Sequence, residues 1–512
     1  MSPTNLNKYL YINKTPTWLV RSFYAFGIAS WFLVVWSFRW AVMYDPFYRW
    51  FVGPILIFLT IYQLSNYGLN LFYKKFNLGK HLSLVKSSPL LKAKPSVDIY
   101  LPICGESMEV LHNTWKHVAL INYTNKRVFV LDDSKEECLA HKELAEQYGY
   151  TYLERPDKGW MKKAGNLKYA FDRTEGEFIA IFDADFAPHP DFITELLPYM
   201  EDEKVGIVQS AQYFNLTKTE HNKSPLAYGA GYVQEAFYRF IQVIRDRFGS
   251  TVCCGSNAIY RRAALADVGG IVLIDTSEDL HTGFALTDLG WTVRYVPLIL
   301  AVGICPDNAH AYFHQQHRWC FASLSLISSA SFWRSKVNWK VKLSYLAGLF
   351  YYLHHPIILL FSFQLFWTLF FYNPYISFTG SIPFYPYILW SFAYMLPGIS
   401  IARFYWGCFY ASFMQIYAYT HAIFSTFARR TVGWIPSNSK QSGASPAFRQ
   451  TTIIVGLYVF VYGTLTLIMA RYNMLHLLDY NYYAVQFWIF WNLFFSGLIL
   501  WQMTKFILSR KR

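Results

Sequence analysis

Two blocks of long apolar runs, residues 1 to about 75 and about 343 to 508, frame a central stretch that carries most of the Asp, Glu and mixed patterning. Runs of that length satisfy their backbone in lipid only as helices, because the bilayer interior offers no hydrogen-bond partner. The chain therefore reads as one soluble domain spliced between membrane segments. Its 54% hydrophobic and 20% aromatic content exceeds that of ordinary soluble proteins. The net charge of +14 does not imply nucleic acid, since no run of Lys and Arg alternates with stacking aromatics in the central part. The basic residues gather at the edges of the apolar runs, as expected of segments facing the cytosol and its anionic lipids. Seven cysteines form no Cys-x-x-Cys, which argues for a reducing compartment and against a disulfide framework or zinc site.

Lys8, Lys14 and Arg21 precede a first expected span, Ser22 to Phe38, which lacks a secretory cleavage signal. A second, about Trp50 to Tyr73, is followed by Lys74, Lys75, Lys80 and Lys86, so both ends of the hairpin are expected in the cytoplasm. An aromatic, Ser-rich segment over 324–342 is expected along the membrane surface. Four further spans are read at about Leu343–Tyr372, Tyr385–Ala402, Thr451–Ala470 and Ala484–Thr504. An aromatic interfacial helix and an arginine-bearing, cytosolic loop at 429–450 separate the middle pair. The expected order is thus two spans in 1–75, an α/β domain over 95–323, and four spans in 343–512.

Within that domain, short β runs alternate with helical patterns, the mark of a doubly wound sheet. The expected strands are Val97–Cys104, Arg127–Leu131, Tyr150–Leu153, Phe178–Phe182, Val205–Gln209, Asn257–Tyr260 and Val293–Val296. The run Phe178 to Phe182 ends in Asp183-Ala184-Asp185, two hard oxygen ligands at the sheet edge where such folds bind ligands. That pair suits Mg2+ or Mn2+ sharing substrate phosphates, although Asp is also common in turns and caps. Asp132-Asp133-Ser134 closes another strand and reads either as a helix cap or as acceptors for a nucleotide base and ribose. Lys163, opening a helix beside Gly165, is either a solvated basic residue or a diphosphate ligand. Glu278 and Asp279 follow Ser277 at a helix start, where they favour the first turn or serve as a general base. Gln315, Arg318 and Trp319 offer a sugar-stacking indole and diphosphate donors, or an interfacial Trp with a snorkelling Arg.

In this order, Asp-Asp, Asp-x-Asp, Glu-Asp and Gln-x-x-Arg-Trp resemble the processive family-2 glycosyltransferases, the cellulose, chitin and hyaluronan synthase group. Val97 to Pro102 with Glu106, Arg155-Pro156-Asp157, Lys163 to Asn166, Val208-Gln209-Ser210 and Cys254-Gly255-Ser256 with Arg261-Arg262 favour the cellulose synthase branch. The resemblance implies a GT-A domain that places uridine at Asp132 and Asp133 and the diphosphate at Lys163, Gln315 and Arg318. It implies UDP and a metal at Asp183 and Asp185, the base at Asp279 beside Glu278, and the acceptor at Trp319 and the Cys254-Gly255-Ser256 loop. The implied reaction is inverting transfer from UDP-glucose to a β-glucan, extruded through the protein's own helices from a bacterial inner membrane, with room for periplasmic or export subunits. A non-processive enzyme glucosylating a lipid such as diacylglycerol, a synthase of another β-glycan and a scaffold subunit are the alternatives. Three departures stand out: Ser277 replaces the family's Thr, Val432 to Ser437 replaces a Phe-x-Val-Thr-Pro-Lys gating loop, and with the chain ending at Arg512 no cyclic-di-GMP control is expected.

Overall fold

In a computed structural model, residues 6–134, 139–214, 225–306, 308–370, 384–401, 407–428, 443–474 and 483–509 are described. The loop at Val432–Ser437 and the tail Arg510–Arg512 lie outside them. Eight strands form one mixed sheet: β1 Val97–Ile103, β2 Lys126–Asp132, β3 Thr151–Glu154, β4 Phe178–Ile181, β5 Phe186–Pro188, β6 Val205–Phe214, β7 Ala258–Arg261 and β8 Thr292–Gly303. Their spatial order is β3-β2-β1-β4-β7-β6-β8-β5. The first four run parallel, β7 is antiparallel to both β4 and β6, and β6 and β8 are parallel.

All seven expected strands are present. The eighth, β5, is a three-residue strand antiparallel to β8, too short for a period to show in sequence. Every residue of β1 is buried, because helices cover both faces of the sheet. Its side chains alternate between two cores as the strand period demands: Val97, Ile99 and Leu101 join Trp115, Phe182 and Phe192, whereas Tyr100 joins Leu167, Tyr260 and Leu265. Parallel β1, β2 and β4 thereby point their carboxyl ends to a single edge.

Five helical stretches among the described residues are long and apolar enough to cross a membrane: Thr17–Tyr44, Tyr48–Asn70, Trp339–Trp367, Pro446–Arg471 and Phe487–Ser509. A sixth was expected at Tyr385–Ala402. There the chain forms an 18-residue helix, Phe384–Ile401, interrupted by Pro397 and packed along the Thr17–Ser37 helix. Its 18 described residues cover about 27 Å, and it is not among the five stretches above. The aromatic helix expected at an interface is Gly407–Phe427, and it is enclosed by the helices Pro225–Ala236, Ala309–Ser328 and Trp339–Phe361. A Cβ on Gly229 would meet the Gly407 carbonyl oxygen at 2.3 Å, so glycine is required for this approach.

The segment ahead of the first helix straps the sheet. The Ile299 N–H of β8 donates to the Lys8 carbonyl (2.9 Å), and Lys8 Nζ reaches Asp191 Oδ2 and Glu195 Oε1 at 2.6 Å each. Tyr11 is buried with Tyr213, Tyr238 and Tyr295. This strap fixes the first long apolar helix relative to the sheet.

Candidate active site

The site begins where β4 ends. Phe182 still bonds to the Tyr100 carbonyl, and the next N–H, of Asp183, donates to Ser256 Oγ at 2.9 Å. The strand therefore delivers its two carboxylates beside the Cys253–Asn257 turn. That turn runs antiparallel into β7, the neighbour of β4, so sheet pairing itself sets the two against each other.

Lys163 stands at the start of the Lys162–Phe171 helix. Its Nζ donates to Asp183 Oδ1, donates to the Gly255 carbonyl at 2.9 Å, and lies 3.8 Å from Glu278 Oε1. One ammonium thus joins the end of β4, the turn before β7 and the start of the Glu278–Asp288 helix. Gly255 has φ +70°, and an added Cβ would lie 2.8 Å from Asp279 Oδ2. The turn therefore passes its bare Cα directly under Asp279.

The carboxylates of this cleft disturb one another. Burial, reinforced by Glu278 and opposed by Lys163, raises Asp279 well above the ordinary carboxylate range. Burial, with Asp183 and Glu106 as like charges, pushes Asp185 up to about 7. Glu106 is raised as well, by burial first, although it accepts the Cys104 N–H at 2.6 Å. Burial pulls the Arg318 guanidinium down while the fields of Asp183, Asp185, Glu278 and Asp279 push it up. Arg318 comes from the Ala309–Ser328 helix, so four carboxylates and two cations from four chain segments share one electrostatic environment.

Other expected residues are placed differently. Asp132 and Asp133 end β2, but their oxygens have partners within the protein. Asp132 Oδ2 lies 2.9 Å from His141 Nδ1 and accepts from Tyr152 Oη (2.8 Å), while Oδ1 accepts the Ser134 N–H (2.8 Å). Burial works to raise Asp132, and these donors outweigh it and hold the carboxyl below its ordinary value. Asp133 takes a two-pronged ion pair from buried Arg155, at 2.8 Å for each contact, and the Gly159 N–H at 2.9 Å. The uridine assignment rests on the resemblance alone. Cys254 turns its thiol toward Gln209 and Gln242, and burial pushes it up to about 12, which keeps it protonated and unsuited to nucleophilic attack. Gln315 is buried and accepts from Gln316 at 3.4 Å, and Trp319 is half-exposed on the same helix.

The roles read from sequence did not include Arg155, Glu106 or Gln316. Arg155 and Glu106 lie within the stretches that carry the cellulose synthase resemblance, but a lone Arg or Glu announces no pairing partner. Gln316 accepts from Gln415 Nε2 (2.9 Å) and Tyr419 Oη (2.6 Å), tying the Arg318 helix to the enclosed aromatic helix.

Asp183 and Asp185 are the residues able to hold a divalent ion. Their mutual repulsion with Glu106 is the kind of excess negative charge such an ion relieves. Among the described residues no three His, Cys, Asp or Glu side chains converge to enclose a metal. A hard cation held by one or two carboxylates and completed by water and phosphate oxygens fits that donor set.

An eight-stranded mixed sheet with helices on both faces and an acidic cluster at its carboxyl edge defines a GT-A-like domain joined to apolar helices. Among the solved structures similar to it is the mannosyltransferase from Pyrobaculum calidifontis in complex with GDP-Man and Mn2+, which shares the fold at TM-score 0.52 and 17% identity over 74% of this chain and 99% of that one. Residues 98–269 match the family model described as Glycosyl transferase family 2. The sequence is 28% identical to Cellulose synthase 1 of Komagataeibacter xylinus over 328 residues, 63% of this chain and 21% of the relative. It is 29% identical to the UDP-forming cellulose synthase catalytic subunit of Pseudomonas fluorescens over 228 residues, 44% of this chain and 30% of the relative. The chain carries a cellulose synthase-like family-2 glycosyltransferase domain, and its matches span less than a third of the length of either relative.

Proposed function

We propose that the chain is a membrane-bound inverting glycosyltransferase that moves glucose from UDP-glucose to the end of a β-glucan at the cytosolic face. The observation that carries this reading is the convergence of Lys163, Asp183, Asp185, Glu278, Asp279 and Arg318 at the sheet edge. In this arrangement Asp279 is the base. It accepts the proton of an acceptor hydroxyl as that oxygen bonds to the anomeric carbon, and the bond from that carbon to the UDP oxygen breaks with its electron pair leaving on the diphosphate. Attack opposite the leaving group inverts the anomeric centre. Lys163 and Arg318 face the departing charge. A divalent ion at Asp183 and Asp185 would neutralise the same diphosphate, Mg2+ and Mn2+ being equally suited to two carboxylates.

The raised Asp279 fits its role, since a base near neutrality couples a sufficient ionised fraction to useful basicity. Cytosolic placement is supported by the lysines that follow the second span, and the segment 324–342 is proposed to lie at the membrane surface, where Trp333 and Trp339 are exposed. Trp319, one helical step from Arg318, is proposed to stack the acceptor end, with Cys254, Gly255 and Ser256 forming the loop below it. The five spans and the enclosed aromatic helix supply the wall along which a product would leave.

The test is to give the purified full chain in lipid labelled UDP-glucose with Mg2+ or Mn2+ and to separate insoluble from lipid-soluble label. Insoluble label removed by an endo-β-1,4-glucanase supports the reading. Label confined to the chloroform phase makes the chain a glycolipid synthase, and absence of UDP release overturns transfer altogether.

A further inference from the structure

The contacts of Lys163 go beyond those of a diphosphate ligand. Its ammonium donates to Asp183, one of the two carboxylates suited to a metal, and at 2.9 Å to the Gly255 carbonyl of the turn beneath Asp279. It lies 3.8 Å from Glu278, whose side chain is only 13% exposed. The neighbouring Lys162 makes no such set, its partner being the largely exposed Asp275 at 3.5 Å. A cation held in a carboxylate cleft cancels the charge that would otherwise draw in a metal ion, and a competitor must displace it.

The geometry points to Lys163 as an internal counter-cation of this site, a latch that occupies Asp183 until a nucleotide diphosphate draws the ammonium away. This rests on the proposed metal site at Asp183 and Asp185. Metal alone meets Asp183 already paired. Metal with a nucleoside diphosphate finds Asp183 released, because the ammonium transfers to phosphate oxygens that carry more negative charge than one carboxylate. Binding of the two ligands is then cooperative, and by linkage each tightens the other by the same factor. The same transfer frees the Gly255 carbonyl, so the turn that locates Asp279 settles only when the donor is present.

Direct measurement of Mn2+ binding by the full chain in lipid nanodiscs, with and without UDP, tests this. In the wild type UDP should tighten Mn2+ by about tenfold or more, within the usual range of coupling between sites. Lys163→Gln should bind Mn2+ alone about tenfold tighter than wild type, and UDP should add little. Lys162→Gln should behave as wild type. If wild type binds Mn2+ through Asp183, as shown by loss in Asp183→Asn, but Lys163→Gln leaves the UDP-free affinity unchanged or weaker, the latch is overturned and the metal site survives. If neither protein binds Mn2+ with or without UDP, both readings fall.

A wild-type measurement guards against a misfolded variant. Mn2+ alone at saturation should speed acetylation of Lys163 relative to Lys162 by an amine-directed reagent, read by mass spectrometry of peptides. An unchanged ratio overturns the latch.

Discussion

Gly255→Ala isolates the placement of Asp279 without altering any ionisable group. The backbone at this residue has φ +70°, and the new Cβ would lie 2.8 Å from Asp279 Oδ2, 2.9 Å from its Cβ and 3.1 Å from its Cγ. Non-bonded carbon contacts settle at about 3.5 Å or more, so the aspartate must retreat by roughly half an ångström or the turn must open by as much. The left-handed conformation adds about 1–2 kcal/mol of strain for an L-residue, enough to lower a thermal midpoint without unfolding a chain of this size. A shift on the order of 1 Å in a reacting group costs about a hundredfold in turnover. UDP affinity should hold within about threefold, because the Gly255 carbonyl that receives Lys163 and the carboxylates Asp183 and Asp185 are untouched. The assay is the rate of UDP release at saturating donor, paired with a UDP binding isotherm. A folded Gly255→Ala enzyme turning over within about threefold of wild type would falsify the placement of Asp279 as base over this turn.

Asp279→Asn should lower turnover by about a hundred- to ten-thousandfold, the range expected for loss of a general base, while UDP still binds; turnover within about tenfold of wild type would move the base elsewhere. The pH profile should show an acid limb, because burial and Glu278 raise Asp279 and its proton-accepting form is lost as pH falls through that raised value. Glu278→Gln removes a like charge and should shift the limb to lower pH, and a limb that stays put would exclude Asp279 as its source. Arg155→Met strands the Asp133 carboxylate in a buried position and should cost about 3–5 kcal/mol of stability, seen as a lowered thermal midpoint before any loss of UDP affinity.

The sheet was legible because its strands carry complete local signals. Phe178 to Phe182 is continuously apolar and β-branched, as a strand buried on both faces must be, and the carboxylates that end it mark the ligand edge without any tertiary information. What pairs with each carboxylate was not legible. Asp132 and Asp133 are adjacent in sequence and equivalent by motif, yet one is bonded to His141 and Tyr152 and the other to Arg155, 22 residues away. Pairing of that kind is decided by which loop returns over the strand end. The enclosed helix Gly407–Phe427 looks interfacial by its Tyr, Gln and Thr content, but Gln316, Ser496 and neighbouring backbone pair with Gln415, Tyr417, Tyr419 and Thr420 inside the protein.

The strap that joins Lys8 to Glu195 links residues 187 positions apart in the chain. During synthesis the first apolar helix leaves the ribosome long before the surface that anchors its leading residues exists. Its backbone bond to Ile299 can form only once β8 has been made, so the strap is complete only after the whole catalytic sheet has been synthesised. A chain interrupted before β8 would keep the Lys8 ion pairs but lack Ile299 and Tyr295, leaving Tyr11, Tyr213 and Tyr238 without that cover.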